Sequence, residues 1–234
     1  MNKKNTISLK KKLVALFSAV LVCLLFSVPS YAAVGDPDLP GNQIGTELYE
    51  EALSHGVKGQ IWITKDGNTL HYINHGHAGL LYAYAPYYRC FIEHRGTSNP
   101  LEFVSTYSQM YVWDWGEGDT WWSTVHTLRT YNVQTPQGKA EGLPYDLGTM
   151  ISAADYAEKY LIGKSYAPLA LKTADSINCA TLIYKAYLNA DKYDGNAISL
   201  GNPKSTTVIP KDLVEDENLI PAFNAQWGGD QHTW

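Results

Sequence analysis

The sequence predicts an α+β domain, a mostly antiparallel sheet with two or three helices packed on it. Three observations lead there. Between Gln60 and Val133 the apolar residues alternate or run in short blocks set off by Gly, Pro, Asn and Asp, which is how strands and their turns read. After Gly148 the apolar spacing changes to the 3.6-residue period of amphipathic helices. The part of the chain that reads as globular, residues 33–234, is long enough to bury one core of ordinary size.

The elements follow in chain order. Residues 1–32 read as a secretory signal peptide. Lys3, Lys4, Lys10, Lys11 and Lys12 form a basic start, Leu13 to Val28 is almost wholly apolar, and Ser30-Tyr31-Ala32 offers small residues for cleavage near Ala32. The apolar run is short of the ~20 residues that a spanning helix needs. Residues 33–56 form a Gly-, Pro- and Asp-rich lead-in with a short helix from Glu47 to Leu53 that ends near Gly56. Residues 57–234 then make the main domain. "GQIWITKDGNTLHYI" reads as a hairpin turning at Lys65-Asp66-Gly67-Asn68. "GHAGLLYAYA" and "YYRCFIEHRG" are two further strands, parted at Ala85-Pro86. "QMYVWDWGEGDTWWSTVHTLRTYNV" reads as a second hairpin around Gly116 to Asp119, its tryptophans stacking across the strands. "TMISAADYAEKYLIG" is a helix with Thr149 or Ser152 as N-cap and Gly163 as its stop. A second helix starts near Cys179, with Asp175, Ser176 and Asn178 as capping residues. "VIPKDL" and "NLIPAF" in the tail read as short extended pieces.

Charge narrows the partners. The whole chain has 18 Lys+Arg against 23 Asp+Glu, and five of the basic residues fall within residues 1–32, which hold no acid. The remainder is strongly acidic and repels nucleic acid and anionic lipid, so neither is an expected partner, nor is stable membrane insertion after processing. A soluble monomer outside the cytoplasmic membrane is expected.

The chemistry centres on Cys179. With this residue as origin, Leu182, Ile183, Ala186, Tyr187 and Ala190 fall at +3, +4, +7, +8 and +11, so the thiol lies on the face that points into the protein. At a helix start the partial positive charge favours a thiolate. A thiolate nucleophile calls for an imidazole partner, and seven histidines are available: His55, His71, His75, His77, His94, His126 and His232. His77 is the best placed locally, because it opens a strand and the small Ala78 and Gly79 after it let another element approach the backbone. The ring also needs an orienting acceptor, and Glu93 on the neighbouring strand can supply one across a ladder. Glu93 and His94 point to opposite faces, so only one of them can serve. Cys90 leaves another reading open, a Cys90–Cys179 disulfide in an exported binding module.

Other signals point away from cofactors. The histidines lack a tight acidic or cysteine partner set, so no metal site is expected, and Asp114, Glu117 and Asp119 fit no loop that wraps calcium. No phosphate-binding glycine loop and no GxSxG elbow occur, so no nucleotide cofactor is expected.

"GQIWIT", "HAGLL", "FIEH", a helix, "GKSYA", "NCATLIYKAY" and "VIPKDL" follow one another in the order seen in the circularly permuted NlpC/P60 proteins. Across residues 57–221 the chain most resembles the YiiX/YycO-type group, a papain-like fold in which the histidine strand precedes the cysteine helix. The resemblance implies a cysteine-dependent amide or acyl hydrolase with Cys179 as nucleophile, His77 as base and Glu93 orienting the ring. It departs from the family at Asn178 and Ala180, where many members have an aromatic residue and a serine. Asn178 is expected to cap the helix and to lend its amide to the oxyanion. Tyr82, Trp113, Trp115 and Tyr166 are expected to line an aromatic groove for substrate. Export and family analogy together point to cell-envelope amides, above all peptidoglycan peptides. Lipid acyl transfer on the same fold is the alternative enzymatic reading.

Overall fold

The computed structural model describes residues 42–66, 68–69, 73–74, 76–85, 88–93, 109–114, 121–167 and 169–228. The leader, Trp115, His94 and four more of the histidine and loop positions named above (His71, His75, His232 and the 116–119 turn) lie outside these residues.

A six-stranded sheet forms the centre. Its strands are β1 (Ile61–Thr64), β4 (His77–Ala85), β5 (Tyr88–Glu93), β6 (Gln109–Asp114), β7 (Leu128–Val133) and β8 (Leu219–Ala225). They lie in the order β6-β5-β4-β1-β7-β8, and every neighbouring pair is antiparallel. The short strands β2 (Asn68–Thr69) and β3 (Ile73–Asn74) pair with each other in a separate ribbon. β1 is central, with neighbours on both edges and helices on both faces, and this explains why "IWIT" is buried at every position. Pro221, which cannot donate to a ladder, sits on the edge strand β8 where the register with β7 slips.

The two faces of the sheet carry separate cores. On one, Ile61, Ile63, Ala78, Leu80, Ile92, Tyr131 and Val133 meet α4 (Leu147–Tyr160) and α5 (Cys179–Leu188). On the other, Trp62, Leu81, Phe91 and Leu128 meet α1 (Gly45–Ser54) and α2 (Trp121–Thr124). The alternation Ile61/Trp62/Ile63 therefore sends successive side chains into different cores, as the two-residue strand period requires.

Four sequence-based expectations change. The turn at Lys65-Asp66 does not fold β1 back on the next segment, because β1 pairs with β4 and β7. Asp66 is instead drawn toward the start of β7, where its carboxylate accepts the His126 backbone N–H at 2.9 Å and Thr127 Oγ1 accepts the Lys65 N–H at 2.9 Å. The tryptophan-rich stretch is not a hairpin: β6 is an edge strand, and β5, β4 and β1 separate it from β7. A one-turn helix, α2, follows the 115–120 connection and drops Trp122 into the core. The N-cap of α4 is Asp146, whose Oδ1 accepts the Thr149 N–H at 3.0 Å, so the helix begins before Thr149 and Ser152. In "VIPKDL" Pro210 starts a short helix, α6 (Pro210–Val214), behind α3 (Pro136–Ala140) and the Ala190–Tyr193 3₁₀ turn in chain order. A proline at the first helical position is preorganised for that role.

Candidate active site

The start of α5 is held by side-chain hydrogen bonds. Asn178 is the N-cap: its Oδ1 accepts the Thr181 N–H at 2.7 Å, and Thr181 Oγ1 accepts the Asn178 N–H at 2.6 Å. This reciprocal box satisfies two backbone donors and fixes the direction in which the chain enters the helix. The Asn178 amide N–H₂ donates to the Val208 carbonyl at 3.1 Å, which ties the cap to the segment ahead of α6. Cys179 is thus the first helical residue, where backbone N–H groups lack intrahelical acceptors and the helix dipole is positive. Its thiol is free.

The partners come from the sheet. His77 opens β4 and lies opposite Thr64 of β1, while Glu93 ends β5 and lies opposite Gly79 of β4. Residues 77 and 79 share a face, so Glu93 stands diagonally across from His77 with no side chain between them. The carboxylate crosses that gap: Glu93 Oε2 lies 2.7 Å from His77 Nε2. Cys179 is close enough to the same imidazole to favour its protonated form. All three groups are buried, at 3%, 2% and 0% exposure for Cys179, His77 and Glu93. The pKa of His77 reflects this setting. Burial pushes it down, but the hydrogen bonds and negative charge of Cys179 and Glu93 outweigh burial and carry it up from 6.5 to about 9. A buried carboxylate without a cationic or hydrogen-bonded partner is costly, and the raised imidazole is the matching group.

The remaining predicted residues fare differently. Glu93 is the residue that meets His77 among the described residues, and His94 lies outside them. Asn178 caps the helix as expected, its Oδ1 accepting from Thr181 and its amide N–H₂ donating to the Val208 carbonyl. Cys90 sits within β5, opposite Ala83 and Val112, and the free thiol of Cys179 means the disulfide is not made. Tyr82 is five residues along β4 from His77, roughly 16 Å at the rise of a strand. Its hydroxyl donates to Glu158 of α4 at 2.6 Å and the Lys58 ammonium covers its ring, so it takes part in the packing of α4 on the sheet. Tyr166 bridges to Ile177, which places it in the loop that leads into Cys179. Trp113 lies on β6 opposite Arg89. Of the other described histidines, His55 stacks on Phe223 and the His126 ring pairs with Asp66 at 3.1 Å.

Two neighbours of the site carried no usable signal in the sequence. Trp122 packs against the His77 ring with centroids 5.7 Å apart, 45 residues away in the chain. Thr64 faces His77 only because of a strand pairing that local turn chemistry does not reveal. Among the described residues no group of three or more His, Cys, Asp or Glu is placed to hold a metal ion.

The arrangement can generate a thiolate beside an imidazolium at the positive end of a helix, with a carboxylate holding the ring. No family model, no curated protein and no solved structure matches this chain.

Proposed function

We propose that the protein is an exported cysteine-dependent amide hydrolase of the papain-like, permuted NlpC/P60 type, acting on peptides of the cell envelope. The observation that carries the reading is the buried His77–Glu93 hydrogen bond together with a Cys179 at a capped helix start that acts on the same imidazole. A protonated His77 favours the thiolate of Cys179. The sulfur attacks the amide carbonyl carbon to form a C–S bond, and the carbonyl oxygen takes the negative charge. The backbone N–H groups of the first turn of α5 stabilise that oxyanion. The C–N bond then breaks as the imidazolium gives its proton to the leaving amine, and an acyl-enzyme remains. A water molecule, deprotonated by the now neutral His77, releases the acid and restores the thiol.

Envelope peptides are the substrate class that agrees with the signal-peptide pattern and the acidic remainder of the chain. Peptidoglycan fragments incubated with the protein should show new free amino groups, and Cys179→Ala should lower their release at least about a thousandfold while melting like the parent. Hydrolysis retained by the folded Cys179→Ala protein would overturn the mechanism. Ester-linked lipid acyl donors, offered in parallel, separate amide hydrolysis from acyl transfer.

A further inference from the structure

We propose that Gly79 is a positioning residue of this site: the missing side chain is the seat in which the Glu93 carboxylate reaches His77. Nothing in the backbone demands glycine there, since Gly79 lies within β4 and does not have the positive φ that excludes other residues. Space excludes them. A Cβ at position 79 would lie 2.9 Å from Trp122 Cζ2, 3.2 Å from Glu93 Oε2 and 3.6 Å from Glu93 Cβ. The first distance is one that real Cβ atoms do not keep, so something has to move.

The indole cannot retreat easily. Trp122 is fully buried and its ring packs on Trp62, Phe91 and His77, each with centroids 5.7 Å away. Interiors of this density resist displacement. The carboxylate is the softer neighbour, because it ends a side chain with rotatable bonds. With the indole held, a methyl group at position 79 is pressed away from Trp122 toward the carboxylate, already 3.2 Å away, and displaces Glu93 Oε2 from the 2.7 Å bond to His77. Gly79 acts on the ring through Glu93, and the Glu93→Gln background separates this from any effect through Trp122. The inference rests on the hydrolase reading for what the pair accomplishes, and its test observes the pair directly.

The experiment is an NMR titration of the His77 ring in the full chain and its variants, with melting curves as the folding control. Gly79→Ala is expected to lower the His77 pKa by about one unit, a tenfold change in proton affinity, and to lower kcat/KM on a hydrolysed substrate about tenfold through kcat. In a Glu93→Gln background Gly79→Ala should add no further shift, because the carboxylate it acts through is gone. Gly79→Ala/Trp122→Leu removes the indole that closes the seat, and it should fold and bring the His77 titration back toward 9. This double variant also decides the matter if Gly79→Ala alone does not fold. A folded Gly79→Ala protein whose His77 titrates as in the parent would overturn the inference, as would an equal shift in the Glu93→Gln background or no recovery on removing the indole. A parent protein that hydrolyses nothing, yet shows the Gly79-dependent shift, refutes the hydrolase and leaves the seat standing.

Discussion

At neutral pH the His77 ring is about two units below the point at which it gives up its proton, so the sulfur of Cys179 faces a cation. The alkaline limb of the rate profile should then lie near pH 9, and Glu93→Gln should move it toward the ordinary 6.5 by removing one of the groups that raise it. Rates or iodoacetamide alkylation measured from pH 5 to 10 in both proteins check this; a limb that stays near 9 without the carboxylate assigns the shift elsewhere. Stability has the same sign. A group whose pKa is raised on folding contributes fully below its unfolded value and loses that contribution as pH rises through the folded value, so His77 stabilises the fold below pH 6.5 and progressively less up to about 9. Urea midpoints at pH 6 and pH 9.5 should show a drop that is smaller in Glu93→Gln. Cys179 and His77 were legible in the sequence because each depends on a local rule, a helical face for the thiol and a strand start for the ring; strand alternation narrowed the acceptor to Glu93 or His94 without choosing between them. The capping role expected of Asn178 was legible for an equally local reason, since an Asn just before an apolar helical face is a standard N-cap.

Elements meet at a few backbone points, and Gly59 is the tightest among the described glycines. Its φ is +86°, its N–H donates to the Leu81 carbonyl at 2.7 Å, its carbonyl accepts the Tyr187 hydroxyl, and a Cβ there would come within 2.0 Å of the Met150 carbonyl oxygen of α4. Strand β4 and helices α4 and α5 thus converge on one residue that has to be glycine for both conformation and space. Gly59→Ala should cost upwards of about 3 kcal/mol, the scale of combined backbone strain and overpacking, as read by chemical denaturation. Asp146 is the polar counterpart. Besides capping α4 it accepts from Thr135 Oγ1 at 2.7 Å and Asn196 Nδ2 at 3.1 Å, and Asp146→Ala should cost about 1–2 kcal/mol in the same assay. Its pKa is lowered although burial alone raises it, because those donors favour the carboxylate; its contribution is therefore present above the ordinary carboxylate range and lost as pH falls below it. The pairing of strands was the least legible feature. Gly116 to Asp119 and Lys65 to Asn68 signal that the chain turns, yet β6 and β1 find partners elsewhere. Turn residues state where a strand ends; which strand it joins depends on faces that are filled from distant segments, such as Trp122 against Phe91.

On the scale of the molecule, the sheet needs cover on both faces, and the cover of one face comes from the lead-in. Helix α1 lies in the segment that the sequence set apart as residues 33–56, but Tyr49, Ala52 and Leu53 are buried against the core of Trp62, Leu81, Phe91 and Trp122. Tyr49 meets Trp62 edge to face with centroids 6.0 Å apart, and Trp62 in turn packs on Trp122, which lies against the His77 ring. The lead-in is therefore continuous, through three rings, with the wall of the candidate site. Full burial of a large apolar side chain contributes about 1.5–3 kcal/mol, so Tyr49 and Leu53 together supply a large part of the 5–15 kcal/mol by which a domain of this kind is stable. A chain begun at residue 57 should expose the Trp62, Leu81 and Phe91 face and lose cooperative unfolding or aggregate, as followed by circular dichroism and size exclusion. Leu53→Ala is the milder form of the experiment: it should cost about 2–5 kcal/mol, read as a lower melting temperature. A truncated chain that unfolds as cooperatively as the full one would show that the second core stands without α1, and the link from lead-in to site would fail with it.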